Sequence, residues 1–224
     1  MHEMLFEVAS VPPHPARYTE ALLPTMARYL TGSRRILDPF GGVGGVFKLA
    51  AWLLGSQIEA IEIEPEWAAA DKRITQGNAL ALPWAAGYFD AICTSPAYGN
   101  RMADHHEARD ASRRHTYRHA LGRPLSSDNA GALQWGEKYR HFHRQAWAEA
   151  RRVLRAGGLF VINCKDHVRA GQVQPVTEWH IDELQRQGFA LVDRVQVACP
   201  GQRHGANGHL RIDFETVAVL QKGA

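Results

Sequence analysis

Cysteine is scarce in this chain, with only three in 224 residues. Cys93, Cys164 and Cys199 lie far apart and form no Cys-x-x-Cys pair. The sequence therefore predicts neither a disulfide framework nor a zinc site, and we expect three reduced, buried thiols.

Several other signals are missing. No run of apolar residues is long enough to span a membrane, and the N-terminal residues lack the basic start and apolar core of a secretion signal. We therefore expect a cytoplasmic protein without a membrane partner. No Gly-Lys-Ser/Thr sequence is present, which excludes a P-loop. With 45% apolar and 22% charged residues, the composition fits an ordinary globular chain of about one domain.

Charge is low in sum but uneven along the chain. The formal net charge is +3. Residues 100–145 hold nine Arg and Lys residues against five acids, and six of the twelve histidines. Such a basic segment favours a polyanionic partner, although a solvated loop of mixed charge fits the same pattern. The sequence leaves both interpretations open.

Strand and helix patterns alternate through the first half. A helix is predicted over Tyr18–Tyr29. The segments RRILDPF, IEAIEIE, ITQGNALALPW and YFDAICTS are predicted strands, and VFKLAAWLLG and PEWAAADKRI are predicted helices between them. Strands that alternate with helices indicate a parallel sheet.

The second half ends differently. EKYRHFHRQAWAEARRVLRAGG is predicted as a helix of about five turns ended by Gly157 and Gly158. A strand, GLFVINCKD, and a helix, VTEWHIDELQRQG, follow. The last two strands, FALVDRVQVAC and LRIDFETVAVLQK, have no helix between them and must pair antiparallel.

This order of elements resembles the α/β, Rossmann-like fold of class I methyltransferases that use S-adenosylmethionine. The resemblance implies a seven-stranded, mostly parallel sheet with a C-terminal antiparallel hairpin. We expect residues 1–224 to form a single methyltransferase domain, with a basic insertion at about residues 99–136.

The first strand ends in a glycine-rich loop, DPFGGVGG. Gly42 and Gly44 let the backbone approach a ligand, as glycines also do in NAD enzymes. Asp38 disfavours a phosphate there but suits a sulfonium cation with a free amino group. Asp38, Pro39 and Phe40 with these glycines resemble the methyl-donor loop of amino-methyltransferases. The resemblance implies that Asp38 lies near the methionine part of S-adenosylmethionine, which the glycines line.

Other candidate cofactor residues follow the next two strands. An acid at the end of the second strand can accept both ribose hydroxyls. Glu62 has the expected spacing from the donor loop, and Glu64 is the local alternative. By the resemblance Ile63 packs on adenine. Asn78, beside Ala79, replaces the family's Asp, and its oxygen can still accept a hydrogen bond from the adenine amino group.

Arg17 lies in the segment HPARYTEALLP, ahead of the donor loop. This segment resembles one that closes over the cofactor's methionine end in these enzymes. Arg17 could pair with the cofactor carboxylate or hold the first helix to the core.

A second motif, Thr94-Ser95-Pro96-Ala97-Tyr98, follows a predicted strand, at the edge where open α/β sheets bind ligands. Acceptors at Ser95 Oγ and the Pro96 carbonyl could hold both N–H bonds of an exocyclic amine, so that its lone pair faces the methyl group. Tyr98 would stack on a base flipped out of the duplex. An ordinary turn is the alternative.

Together these motifs resemble the DNA amino-methyltransferases with the pattern [DNS]-P-P-[YFW]. Ser at the first position is commonest among N4-cytosine enzymes, so we expect DNA as partner and cytosine N4 ahead of adenine N6. Ala97 departs from the pattern, and one restraint on the turn is lost with the second proline. An RNA base N-methyltransferase and a non-catalytic nucleic-acid-binding protein are the alternatives.

Basic residues near these motifs are the candidates for contact with nucleic acid: Arg101, Arg113, Arg114, Lys165 and Arg203. Lys165 belongs to a polar loop that could instead only cap the end of its strand. Asp104, His105 and His106 match no standard metal site, and methyl transfer needs no metal, so we expect none.

Overall fold

The computed structural model describes residues 11–16, 18–99, 116–200 and 210–224. In these ranges the strands are Arg35–Asp38 (β1), Gln57–Glu62 (β2), Ile74–Gln76 (β3), Phe89–Thr94 (β4), Leu154–Cys164 (β5), His167–Arg169 (β6), Gln172–Gln174 (β7), Phe189–Ala198 (β8) and Phe214–Lys222 (β9). Seven of them form one sheet in the order β3-β2-β1-β4-β5-β9-β8.

The sheet is parallel from β3 to β5, and β9 runs antiparallel to both β5 and β8. This topology confirms the α/β, Rossmann-like fold with its C-terminal antiparallel hairpin. A small separate hairpin of β6 and β7 was not predicted.

Helices cover both faces of the sheet. The α-helices are Leu23–Leu30 (α1), Pro65–Ala68 (α2), Tyr117–Leu121 (α3), Glu137–Val153 (α4) and Val176–Arg186 (α5), and 3₁₀ segments cover Glu20–Leu22, Gly45–Ala51 and Ala130–Ala132. Within the described ranges, none of the helices is both long and apolar enough to cross a membrane.

Alternation along the strands divides the core into two apolar layers. Leu37 and Ile92 face the layer that holds Trp147 of α4, whereas Ile36 and Cys93 face the layer that holds Met26 of α1. Successive strand residues point to opposite faces, so each buried strand contributes to both layers. All three cysteines are buried and unpaired, as predicted.

The first two crossovers differ from the predicted helices. Residues Gly45–Ala51 form a 3₁₀ helix instead of an α-helix. Seven residues span about 14 Å as a 3₁₀ helix and about 10 Å as an α-helix. The longer span suits this crossover, in which the chain runs back along a strand of only four residues. α2 stops at Ala68, because the chain must already reach Ile74 to pair with Ala60.

The long helix α4 also ends earlier than predicted. It stops at Val153, and Leu154 already pairs with Phe89 in the sheet. Gly157 and Gly158 therefore belong to β5, at an irregularity of the ladder, and do not end the helix. Gly157 has a φ of 69°, and a Cβ on Gly158 would lie 2.8 Å from the Asp90 carbonyl, so the bulge explains both glycines.

Candidate active site

A cavity of about 700 Å³ lies at the carboxyl edge of the parallel strands. The glycine-rich loop after β1, Glu62 at the end of β2 and the turn Ser95–Tyr98 after β4 all line it. The structure thus joins the predicted donor loop and acceptor turn in one cavity, whose size falls in the range of small-molecule sites.

The donor loop requires its glycines. Gly42 and Gly44 have φ angles of 52° and 84°, in the left-handed region. A Cβ on Gly44 would lie 2.5 Å from the Phe47 ring, and one on Gly41 would lie 2.6 Å from the Ala60 Cβ. The backbone itself therefore forms this wall of the cavity, where a ligand can approach closely.

Asp38 is fully buried beneath this loop. Its carboxylate accepts hydrogen bonds from Thr94 Oγ1 at 2.7 Å, Tyr18 Oη at 2.9 Å and the Phe40 amide at 3.0 Å. Burial raises its pKa to about 6, although these donors favour the ionised form. Asp38 thereby links the donor loop to the end of β4, and the Tyr18 side chain stands between it and the cavity, which Tyr18 lines.

Glu62 lies on the cavity wall and is 9% exposed. One carboxylate oxygen accepts from the Gly42 amide at 3.0 Å and the other from the Glu64 amide at 2.9 Å. Loss of hydration on burial raises its pKa to about 7, and the nearby charge of Glu64 adds to this shift. The backbone contacts fix the carboxylate in place, with lone pairs left for further donors.

Glu64 has a different task. Its buried carboxylate accepts from Asn129 Nδ2 at 2.7 Å, from the Ser126 amide and hydroxyl at 2.8 and 3.1 Å, and from Arg123 Nη2 at 2.8 Å. These four donor groups, on three residues, saturate the Glu64 carboxylate and attach residues 123–129 to the end of β2. Of the two acids, Glu62 is the one that faces the cavity.

A second, narrow cavity of about 40 Å³ continues from Glu62. Its predicted cofactor residues are Pro39, Phe40, Glu62, Ile63, Asn78 and Ala79. Asn78 Oδ1 accepts from the Leu80 amide at 2.9 Å, and Asn78 Nδ2 donates to Asp128 at 3.0 Å. Asp128 thus brings a carboxylate beside the Asn that replaces the family's Asp.

This pair of cavities suits S-adenosylmethionine. A fixed carboxylate at Glu62 matches two ribose hydroxyls, and the amide and carboxylate oxygens at the edge of the slot match the adenine amino group. At about 40 Å³ the slot must widen to admit the ring. The backbone at Gly42 and Gly44 lines the larger cavity, with the His14 ring beside Gly42, and the methionine part can occupy the cavity there. The larger cavity extends from there to the acceptor turn.

The acceptor turn carries a buried polar network. Ser95 Oγ and Tyr98 Oη lie 2.8 Å apart, and Tyr98 Oη donates to Glu215 of β9 at 3.2 Å. Asn163 Nδ2 of β5 donates to Glu215 at 2.7 Å, to Tyr98 Oη at 2.8 Å and to Ser95 Oγ at 3.3 Å. Burial, followed by the charge of Glu215, raises the Tyr98 pKa well above its ordinary value. Tyr98 is therefore a neutral phenol with a fixed ring at the cavity.

Two further contacts hold the turn from behind. Tyr139 Oη donates to the Ala97 carbonyl at 2.6 Å, and the Trp135 amide donates to the Gly99 carbonyl at 2.8 Å. Gly99 has a φ of 62°, and a Cβ there would lie 2.7 Å from the Trp135 nitrogen. The turn is thus fixed although its second proline is absent.

Of the predicted nucleic-acid residues, the structure describes Lys165. It lines the larger cavity, and its Nζ donates to the Cys199 carbonyl at 3.2 Å. The neighbouring Asp166 accepts from the Thr177 amide at the start of α5. Five predicted site residues lie outside the described residues: Arg17, Arg101, Arg113, Arg114 and Arg203. In the part of the chain that is described, no group of acids, histidines and cysteines is arranged to hold a metal.

Sequence reasoning missed four residues of the site: Asp128, Tyr139, Asn163 and Glu215. Asn163 and Glu215 are polar residues inside predicted buried strands, which is a signal that could have drawn attention to them. Asp128 and Tyr139 lack such a signal, because Asp128 lies in the segment predicted as an insertion and Tyr139 lies at an apolar position of a predicted helix.

The sheet topology is that of the class I methyltransferase fold, and solved structures of similar fold agree. A SAM-dependent methyltransferase from Methanosarcina mazei is 12% identical, with a TM-score of 0.56 over 93% of this chain and 99% of that chain. NodS from Bradyrhizobium japonicum WM9 in complex with S-adenosyl-L-homocysteine is 14% identical, with a TM-score of 0.52 over 90% and 84%. The [4+2]-cyclase SpnF is 16% identical, with a TM-score of 0.56 over 91% and 81%. At these identities the likeness shows the fold alone.

The family is shown by the sequence. The DNA methylase family of N6 and N4 amino-methyltransferases matches residues 89–224, which is more than half of the chain. The chain therefore belongs to this family, and it is an S-adenosylmethionine-dependent methyltransferase. No curated protein matches the sequence.

Proposed function

We propose that this protein transfers a methyl group from S-adenosylmethionine to an exocyclic amino group of a DNA base, with cytosine N4 favoured over adenine N6. The observation that carries the proposal is the shared cavity, in which the donor loop after β1 and the Ser-Pro-Ala-Tyr turn after β4 meet. Family membership supports a nucleic acid substrate.

The cofactor supplies an electrophilic methyl group on a sulfonium. In our proposal Glu62 binds the ribose hydroxyls, Ile63 and Ala79 contact adenine, and Asn78 accepts from its amino group, with Pro39 and Phe40 forming the rest of the slot. Gly42 and Gly44 line the methionine part, Asp38 holds the loop from below, and Arg17 pairs with the cofactor carboxylate. Such positioning lowers the barrier by several kcal/mol, because the reacting atoms meet in line.

Ser95 acts on the amine of the base. Tyr98 has one hydroxyl hydrogen, which it donates to Glu215, so the Ser95 hydroxyl in turn donates to Tyr98. This order leaves a lone pair of Ser95 Oγ free to accept one amine N–H, and the Pro96 carbonyl accepts the other. The nitrogen becomes tetrahedral, and its own lone pair turns toward the methyl group.

Glu215 completes the reaction in this proposal. When the N–CH₃ bond forms, the S–CH₃ bond breaks and the nitrogen is left with one proton too many. That proton passes to Ser95 Oγ while the Ser95 proton moves to Tyr98 and the Tyr98 proton to Glu215. The carboxylate lines the cavity and can return the proton to water.

The base must leave the duplex to reach this turn, where the fixed ring of Tyr98 can stack on it. Ser95 in the first position of the motif favours cytosine. Lys165 on the cavity wall, with Arg101, Arg113, Arg114 and Arg203, contacts the phosphate backbone. Residues 1–224 then act as one methyltransferase domain, in which the insertion at about residues 99–136 reads the DNA.

Nucleoside mass spectrometry tests the proposal directly. The protein is incubated with isotope-labelled S-adenosylmethionine and either DNA or RNA, and the nucleosides are analysed. We expect labelled N4-methylcytosine from DNA and a loss of about 10²-fold in turnover in Ser95→Ala, with cofactor affinity unchanged. Ser33→Ala, before β1 at the opposite edge of the sheet, is the matched control.

Other products would change the conclusion in distinct ways. Labelled N6-methyladenine in DNA would correct the base but keep DNA as the substrate. Label confined to RNA would overturn the DNA proposal in favour of an RNA base methyltransferase. Cofactor binding without transfer to either nucleic acid would indicate a non-catalytic binding protein.

A further inference from the structure

The acceptor turn lacks the second proline of its motif, yet the carbonyl at that position is held. Tyr139 Oη of α4 donates to the Ala97 carbonyl at 2.6 Å, and Tyr139 is fully buried. A proline restrains its residue through φ, whereas a hydrogen bond to the carbonyl restrains the peptide plane that follows. Both restraints therefore act on the backbone of Ala97, which lies between Pro96 and Tyr98.

Tyr139 is itself fixed by a chain of buried side chains. His180 Nε2 lies 2.9 Å from Tyr139 Oη, and Trp147 Nε1 donates to His180 Nδ1 at 3.0 Å. Tyr139 gives its only hydroxyl hydrogen to Ala97, so His180 must donate from Nε2 and accept at Nδ1. His180 is therefore the neutral tautomer with Nε2 protonated.

Burial agrees with a neutral His180. It lowers the pKa of His180 well below the ordinary value, and the neighbouring His143 acts in the same direction. His180 and Trp147 are both 0% exposed. Trp147 thus donates to His180, His180 to Tyr139, and Tyr139 to the Ala97 carbonyl. Each hydrogen-bonding atom in this series has a partner.

We propose that Tyr139 is a positioning residue that replaces the missing second proline of the acceptor turn. The inference rests on the proposed function, because it assigns Tyr139 to the turn that holds the amine. Tyr139 fixes the peptide plane between Ala97 and Tyr98, next to the peptide that carries the Pro96 carbonyl.

The test combines removal of the bond with restoration of the proline. Tyr139→Phe keeps the ring and loses the hydroxyl, and we expect turnover to fall by about 10- to 100-fold with cofactor affinity within about twofold. Adding Ala97→Pro should return turnover to within about threefold of wild type, since the two restraints substitute for each other. Tyr88→Phe, before β4 at the far edge of the sheet, is the matched control.

Hydrogen exchange gives a readout that does not depend on activity. The backbone amides of Ser95, Tyr98 and Gly99, which every variant retains, should exchange faster in Tyr139→Phe and return toward wild type in the double variant. If the wild type transfers no methyl group, the proposed function fails. The exchange data still test whether Tyr139 restrains the acceptor turn. The inference would be overturned if the double variant kept the low turnover and the fast amide exchange of Tyr139→Phe.

Ala97→Pro alone covers the case in which Tyr139→Phe does not fold. In the wild-type background the turn is already held, so we expect a change in turnover of less than about threefold and no further protection from exchange. A gain of about tenfold or more would show that Tyr139 leaves the turn loose, which contradicts the proposal.

Discussion

The cofactor side and the acceptor side of the cavity are built in different ways. On the cofactor side most contacts join residues within about 20 positions, such as Glu62 with the amides of Gly42 and Glu64. The exceptions there are Thr94 with Asp38 and Asp128 with Asn78. On the acceptor side, Ser95 and Tyr98 depend on Asn163 and Glu215, which follow much later in the chain. Local motifs make the first region, and the whole fold makes the second.

This difference bears on what each region tolerates. Backbone amides and glycines form much of the donor side, so substitutions there act through main-chain geometry. Side chains from β5, β9 and α4 form the acceptor side, so single side-chain changes should have larger effects on chemistry than on binding.

Glu215→Gln should give the largest change. It removes the carboxylate that accepts from Tyr98 and that, in the proposed mechanism, takes up the released proton. General-base steps contribute about 10²-fold or more. We expect turnover to fall about 10²-fold in steady-state kinetics, with cofactor affinity within about twofold. Glu178→Gln, at an exposed ion pair with Arg194, serves as control. Loss of cofactor binding in place of turnover would contradict the division between the two sides.

Glu64→Gln should mainly affect stability. Glu64 is buried and joins residues 123–129 to the end of β2, and its loss of charge leaves Arg123 without that partner. We expect a loss of about 1–3 kcal/mol in the free energy of unfolding, from denaturant titration. Glu66→Gln, which breaks a partly exposed contact with the same Arg123, should cost about 1 kcal/mol or less. Equal effects would show that burial of Glu64 does not matter.

The same division explains how far the sequence could be interpreted. The sheet, the donor loop and the choice of Glu62 were predictable, because hydrophobic period, glycine spacing and the end of a strand are local signals. Helix bounds were less predictable. Leu154 joins β5 because Phe89 pairs with it, and a long-range partner of that kind leaves no trace in helix propensity.

The hydrogen bond from Tyr139 to the Ala97 carbonyl shows most clearly what the sequence could not predict. From the sequence, loss of the second proline predicts a looser turn. The structure adds the Tyr139 hydroxyl, which α4 brings to the Ala97 carbonyl from 42 positions away. Only the packing of α4 on the sheet makes that contact, so no motif could indicate it.

Cofactor affinity should depend on pH through Glu62. Its raised pKa of about 7 means that the neutral form dominates below that pH, whereas ribose hydroxyls donate best to the carboxylate. Affinity should therefore be complete above pH 7 and fall as the pH decreases, about tenfold by pH 6, in calorimetric titration. Glu62→Gln should bind weakly at every pH, and an equally steep pH dependence in that variant would assign the effect to another group.

The stability of the protein without cofactor should change in the opposite direction. Because the folded-state pKa of Glu62 is about 7 instead of the ordinary 4.5, the folded state keeps a proton on Glu62 that the unfolded state releases. The contribution of Glu62 is therefore most favourable at low pH and decreases as the pH rises from about 4.5 to about 7. Comparison of wild type with Glu62→Gln by denaturant titration isolates this contribution.

Asn78→Asp should give the smallest effect, and its sign is informative. The change restores the family's acid in the narrow cavity, but Asp128 already lies 3.0 Å from the Asn78 amide nitrogen. Two carboxylates at that distance repel each other, so we expect cofactor affinity to fall about three- to fivefold. Asn78→Asp with Asp128→Asn exchanges the two groups and should return affinity to within about twofold of wild type. Tighter binding by the single variant Asn78→Asp would mean that adenine prefers the acid at position 78 regardless of Asp128. Cofactor affinity would then not depend on this contact from a distant segment.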